Sequence, residues 1–410
     1  MKNVKVNGQR LWDSLMEMGK IGATAKGGVC RLALTDLDRE SRDLFVSWCE
    51  EAGCTVSVDK MGNIFARRPG LDNSLPPVVM GSHLDTQPTG GKFDGIYGVL
   101  AGLEVIRALN DHNIQTTHPI EASVWTNEEG SRFPPAMVAS GVFAGVFDLE
   151  YGLSRADLDG KTMGEELQRI GYDGPLEVGN REFKAFFEAH IEQGPILEQE
   201  EKTIGVVTDA QGQRWYEVTL TGQEAHAGPT PMATRKDALL GAARIVDQVN
   251  KIGLANAPLA CATVGLLQVF PNSRNVIPGE VFFSVDFRHP DDKVLANMDV
   301  ALREFAEQVS SELGLEMEFT EIWYSPPVPF NKACVDSVRE AASLAGYSHR
   351  DIVSGAGHDA CYISRVAPTA MVFVPCENGI SHNEAENADP ADLEAGCNVL
   401  IQAVLLQAQA

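Results

Sequence analysis

The sequence predicts an α/β protein of two domains, in which a mixed central sheet flanked by helices carries a smaller inserted βαββαβ unit. Length is the first reason, since 410 residues exceed what one ordinary core organises. The second is a pair of apolar, β-branched segments, residues 77–80 and 119–125, each running into a loop that bears His, Asp or Glu. Between them the apolar-faced stretch 99–109 reads as a crossover helix, the usual link between neighbouring strands of a largely parallel sheet. The third is a change of pattern near Arg214. Strands at 215–221, 262–269, 280–288 and 316–322 combine with helices at 235–252 and 291–313 in the order of the ferredoxin-like split unit.

The other elements follow in chain order. Residues 8–19 and 36–52 have helical periodicity, the second opened by Thr35 with Asp38 three residues on and closed by Gly53. Strands at 55–59 and 63–67 surround the turn Met61-Gly62. Residues 137–147 are apolar and glycine-containing, 160–171 read as a short helix, 196–199 as a helical turn after Gly194-Pro195, and 204–208 as a strand. Ser325-Pro-Pro-Val-Pro329 makes an extended linker, followed by a helix at 332–344, a strand at 370–374 and a helix from Pro390. Residues 1–213 and 330–410 thus form the larger domain and 214–329 the insert. Hinges are expected at Gln211-Gly212 and at 325–329.

A formal charge of −24 argues against nucleic acid and against anionic membrane surfaces, since both need a basic footprint. No run is long and apolar enough to cross a bilayer, and the first residues lack the apolar core of a signal peptide. The eight Cys are scattered with no C-x-x-C pair, so reduced thiols and a cytoplasmic location are expected.

The chemistry concentrates at strand ends. Gly81-Ser-His-Leu-Asp-Thr86 brings His83 and Asp85 to the point where a strand opens, and Gly91-Lys-Phe-Asp-Gly95 can bend Asp94 back toward His83. A second strand ends in Glu128-Glu129, whose neighbouring side chains diverge. His190 and His382 come from two further segments. Three imidazoles with acidic partners suit two borderline divalent ions sharing a carboxylate, with the extra Glu left as a general base. Because His382 lies beyond the split unit, that unit is inserted and not appended.

Plainer readings stand beside these. His112, His118 and His349 are expected to be ordinary hydrogen-bonding residues, while a structural role is open to His289 and either loop positioning or contact with substrate to His358. Paired Glu usually marks a solvated turn, but this pair closes an apolar strand. Arg288 could simply pair with an Asp, yet the alternation of Phe283, Val285 and Phe287 puts Ser284, Asp286 and Arg288 together on the opposite face. No phosphate-cradling loop is present, and Ser140-Gly-Val lacks a nucleophile elbow.

With these blocks in this order the chain resembles the dinuclear metal amidohydrolases related to aminoacylase and the zinc carboxypeptidases. More narrowly it is similar to the N-carbamoyl-amino-acid amidohydrolases, with β-ureidopropionase and allantoate amidohydrolase as sisters. His190-Ile-Glu-Gln-Gly-Pro195 is the block most specific to that branch, and Gly222-Gln-Glu-Ala-His-Ala-Gly228, Pro271-Asn-Ser-Arg-Asn-Val276, Ser354-Gly-Ala-Gly-His-Asp359 and Ser381-His-Asn-Glu384 accompany it. The resemblance implies two divalent metals per subunit, zinc foremost and manganese, cobalt or nickel also accepted. His83, Asp94 and His190 would hold one, and Asp94 as a bridge with Glu129 and His382 the other. Glu128 would be the general base on a metal-bridging water, and Asp85 a carboxylate orienting His83. His226 would stabilise the oxyanion, while Gln193, Asn275, Arg288 and the backbone of Gly357 would bind substrate, Arg288 clamping its carboxylate. The implied reaction is hydrolysis of an N-carbamoyl α- or β-amino acid, with allantoate, then an N-acyl amino acid or small peptide, as competing substrates. The insert would act as a lid and as the contact of a homodimer.

Overall fold

The computed structural model describes residues 4–409. The chain divides into two compact units, Met1–Thr208 with Pro329–Ala410, and Asp209–Val328.

In the first unit the strands form a nine-stranded sheet among the described residues. Its order is Thr55–Val58, Ile64–Arg68, Ile120–Trp125, Val78–His83, Ala185–Ile191, Thr369–Val374, Ile204–Ala210 and Val328–Pro329, with His349–Ser354 also pairing Ile204–Ala210. The four strands from Ile120–Trp125 to Thr369–Val374 run parallel, and antiparallel neighbours join at either side. Every residue of those four is buried, as a parallel sheet covered by helices requires. Helices Ile96–Asp111 and Pro390–Ala408 pack on this sheet and bury most of their length. Parallel strands end together, so their carboxyl ends form one rim.

Several expectations need correction. The strand expected at 77–80 runs on to His83, so His83 stands on the strand and not in the loop. The short helix expected at 160–171 is present as Met163–Ile170, but the stretch before it, for which no element is expected, holds helices Val138–Phe143 and Leu149–Leu153. The supposed linker at 325–329 ends in a short strand. Strand His349–Ser354 and helix Asp359–Ile363 were not expected, because six and five residues are too few to show a period.

The second unit is a sheet with antiparallel order Leu267–Phe270, Glu280–His289, Gly212–Thr221 and Glu316–Ser325, to which Cys261–Thr263 adds alongside Glu280–His289. The single strand expected at 262–269 is two, separated by Gly265, which has no side chain to pack. Strand Gly212–Thr221 starts before the expected boundary. Helices Ala238–Ala255 and Asp292–Leu313 supply Ile245, Val249, Met298 and Leu302 to a core with Tyr216, Val218, Phe283 and Phe287. Strand alternation sends Gln213, Trp215, Asp286 and Arg288 to the other face, where Trp215 meets Trp323 edge-on with centroids 4.8 Å apart.

Candidate metal centre and active site

Three of the parallel strands deliver the site. Val78–His83 ends on His83, Ala185–Ile191 carries His190, and Ile120–Trp125 leads directly into Glu128 and Glu129. Each buried imidazole is oriented by a nearby main-chain carbonyl. His83 Nδ1 is 2.9 Å from the Asp85 carbonyl, and His190 Nδ1 is 2.9 Å from that of Ile191. With the proton on Nδ1, each Nε2 keeps its lone pair, and the Gly95 N–H donates to His190 Nε2 at 3.2 Å. Both Nε2 atoms face Asp94 Oδ1, at 3.6 Å from His83 and 3.2 Å from His190. On the other side Asp94 Oδ2 lies 3.4 Å from His382 Nε2, which is 3.4 Å from Glu129 Oε2.

Two donor sets result, His83 with Asp94 and His190, and Asp94 with Glu129 and His382, each with its ligand atoms within 4.8 Å of one another. Asp94 belongs to both. Imidazole nitrogen and carboxylate oxygen are the donors that borderline divalent cations take, so these residues fit two such ions sharing one carboxylate. Glu128 belongs to neither set and is buried with Oε2 3.5 Å from His83 Nε2. Glu188, His190 and His358 also converge, but Glu188 already accepts from Ser82 Oγ at 2.6 Å and from the Ala360 N–H at 3.0 Å. That group braces strand ends.

Without a cation, the carboxylates of this site are crowded together. Burial pushes Glu128 well above the ordinary carboxylate range, with Asp359, Glu129 and Asp94 adding to it against the pull of His83. Burial and then Asp94 raise Glu129 to about 8. Burial would also raise Asp94, but in the metal-free chain the protonated forms of His190 and His83, which the same carboxylates favour, hold it well below its usual value. So many carboxylates in one buried site repel one another, and bound cations would relieve that repulsion.

The surroundings differ from expectation in two places. The Asp85 carboxylate does not orient His83, whose Nδ1 it approaches only to 3.9 Å. It accepts instead the backbone N–H groups of Glu128 and Glu129, each at 3.2 Å, and so fixes the loop that carries these two carboxylates. Gln193 donates through Nε2 to Asp94 Oδ2 at 2.9 Å, while its Oε1 is buried with no partner. Asn127, Gln193 and His382 all have positive φ, a left-handed conformation that costs a non-glycine residue free energy. A Cβ on Gly95 would stand 2.4 Å from the His83 ring, so only glycine permits this approach. Gly357 is close to Met137, whose Cε a Cβ there would meet at 2.9 Å.

Sequence reading missed Arg31, Ser381 and Glu386. Arg31 is fully buried and donates from Nε to the Leu84 carbonyl at 2.8 Å, while its N–H reaches Thr86 Oγ1 at 2.8 Å, so it grips both neighbours of Asp85. Nothing local in the sequence distinguishes it from a surface Arg.

The second unit holds the other named residues. His226 is exposed and lies opposite Val276 in the paired strands Ala225–His226 and Val276–Ile277, and the Asn275 carbonyl accepts the Ala227 N–H at 2.9 Å, so His226 and Asn275 come together. Arg288 stands apart from them on the sheet, opposite Gln213 and Cys261, with Nη2 2.8 Å from Asp286 Oδ2.

Comparison with known proteins agrees with the geometry. Residues 79–406 match the model of peptidase family M20/M25/M40. An N-carbamoyl-L-amino-acid amidohydrolase of Rhizobium meliloti is 54% identical over 408 residues, covering 100% of this chain and 98% of the relative. An allantoate amidohydrolase of Escherichia coli is 34% identical, with 96% of each covered. The crystal structure of a hydantoinase/carbamoylase family amidase from Burkholderia multivorans superposes with a TM-score of 0.97 at 70% identity, covering 99% of both chains. With its family-wide match, near-complete coverage and two sets of metal donors, the chain belongs to peptidase family M20/M25/M40, a metal-dependent family, and within it to the amidohydrolases of the hydantoinase/carbamoylase type.

Proposed function

We propose that this protein hydrolyses the ureido C–N bond of N-carbamoyl-L-amino acids, yielding the amino acid, carbon dioxide and ammonia. The observation that carries the reading is the pair of donor sets sharing Asp94, with Glu128 outside both. The substrate class follows the 54% identical relative. His83, Asp94 and His190 would hold one divalent cation, and Asp94, Glu129 and His382 the second; zinc is the leading expectation, with manganese, cobalt or nickel as alternatives. When bound, such cations polarise a carbonyl and lower the pKa of water.

Glu128 takes the proton of the attacking water and hands it to the amino-acid nitrogen as the C–N bond breaks. The carbamate fragment then separates into ammonia and carbon dioxide. Gln193 offers its unpartnered Oε1 to a ureido N–H. Asn275, Arg288 and the Gly357 backbone bind substrate, Arg288 pairing with its carboxylate through a planar fork, and His226 stabilises the tetrahedral oxyanion. Asp85 keeps Glu128 and Glu129 in place.

The second unit is proposed as a lid and as the contact of a homodimer. Leu266, Leu267 and Phe270, on or beside its edge strand, are exposed, and such an edge favours pairing. A cytoplasmic setting is supported by eight free thiols, and no described helix is long and apolar enough to cross a membrane.

Allantoate is the second reading, favoured by the 34% identical relative. Ammonia release by metal-stripped and metal-reconstituted protein on N-carbamoyl-L-amino acids, N-carbamoyl-β-alanine, allantoate, an N-acyl amino acid and a dipeptide separates these. Metal-dependent turnover of N-carbamoyl-L-amino acids is expected, and activity on allantoate alone would overturn the reading.

A further inference from the structure

We infer that Glu386 is a positioning residue for the shared carboxylate Asp94, and through it for both donor sets. The inference rests on the metal reading above. Glu386 is 5% exposed, and its Oε1 accepts the backbone N–H groups of Phe93 at 2.9 Å and of Asp94 at 3.1 Å. It therefore grips the main chain of the bridging ligand. Its Oε2 lies 3.0 Å from Ser381 Oγ, and that hydroxyl lies 3.0 Å from Asp94 Oδ2. Gln193 Nε2 joins the group, 3.1 Å from the same hydroxyl. Ser381 immediately precedes His382, so one buried carboxylate reaches the bridge by its backbone, the bridge by its side chain, and the loop of the more exposed histidine. Room for this exists because residue 91 is glycine, where a Cβ would stand 2.1 Å from Glu386 Oε1.

The Ser381 hydroxyl has one proton and two carboxylate acceptors. Were Asp94 to turn its oxygens to cations, the Ser381 hydroxyl would keep its proton and donate its hydrogen bond to Glu386 Oε2 alone, so that neither the hydroxyl nor that carboxylate oxygen would lose its partner. Groups of this kind behind a ligand set metal affinity by roughly 10–100-fold.

The test is zinc uptake by metal-stripped protein, read by competition with a chromogenic chelator, with thermal melting of the metal-free form as a check on folding. Glu386→Ala is expected to weaken zinc binding by about 10–100-fold. Glu386→Gln should recover most of this, because its amide oxygen still accepts both N–H groups. Wild-type affinity in a folded Glu386→Ala protein would overturn the inference. Should that variant fail to fold, Ser381→Ala decides, since it leaves both backbone bonds intact; it is expected to weaken binding about tenfold, and unchanged affinity would overturn the inference. A wild-type chain that took up no zinc would overturn this inference and the metal reading together, a result distinct from failure of the variants alone.

Discussion

The two halves of the candidate metal centre are built differently although they share Asp94. His83 and His190 stand on strands, their side chains 2% and 1% exposed, and each ring is pinned by a main-chain carbonyl. His382 sits on a left-handed loop residue with its side chain 53% exposed. One half is held by the sheet before any ion arrives, whereas the other depends on a loop. Two cations would therefore bind with different affinity, because an ordered donor set gives up less freedom on binding.

The largest way to break this contrast is Gly95→Ala. The new Cβ collides with the His83 ring, displacing the rigid half and the shared Asp94 with it. Loss of both cations, and with them all turnover, is expected from metal analysis of the purified variant. Glu128→Gln separates chemistry from binding. Both cations should remain while turnover falls by about 10²–10⁴-fold, measured on the best carbamoyl substrate. Full turnover with metal bound would remove Glu128 from its proposed role.

His382→Ala sharpens the contrast itself. Equilibrium dialysis should find the metal content reduced toward one ion per chain, with the ion at His83 and His190 retained; loss of both ions would mean that the halves are not separable. The smallest effect is expected from Asp85→Asn, which keeps an acceptor for one of the Glu128 and Glu129 N–H groups and sets an amide NH2, a donor, against the other. A roughly tenfold drop in kcat with little change in KM would follow, read from steady-state kinetics.

How much of this was legible in the sequence depended on whether a residue acts through its own type or through its neighbours. His83, Asp94, Glu129, His190 and His382 carry donor chemistry that side-chain identity and strand-end position advertise, and the structure brings all five together. The βαββαβ order was readable because Tyr216, Val218, Phe283 and Phe287 alternate toward one face. The role of Asp85 was misjudged because the choice between a carbonyl and a carboxylate two residues from His83 is set by backbone geometry, which residue types do not encode. Glu386 was invisible for a related reason. Its partners at Phe93 and Asp94 are backbone atoms nearly three hundred positions away, and it sits in a polar segment with no periodicity.

The left-handed backbone at Asn127, Gln193 and His382 has a bearing on engineering this molecule. A non-glycine residue in that region costs about 1–3 kcal/mol, less for Asn, which tolerates it better than Gln. Glycine at any of the three would relax the chain, but it would also remove a side chain with contacts of its own: the Asn127 amide donates to the Phe133 carbonyl at 2.8 Å, the Gln193 amide to Asp94 at 2.9 Å, and His382 Nε2 lies 3.4 Å from Asp94 and Glu129. Selection for heat resistance alone would therefore drift toward glycine at these positions and away from activity, so a screen for hardier variants has to score turnover alongside melting.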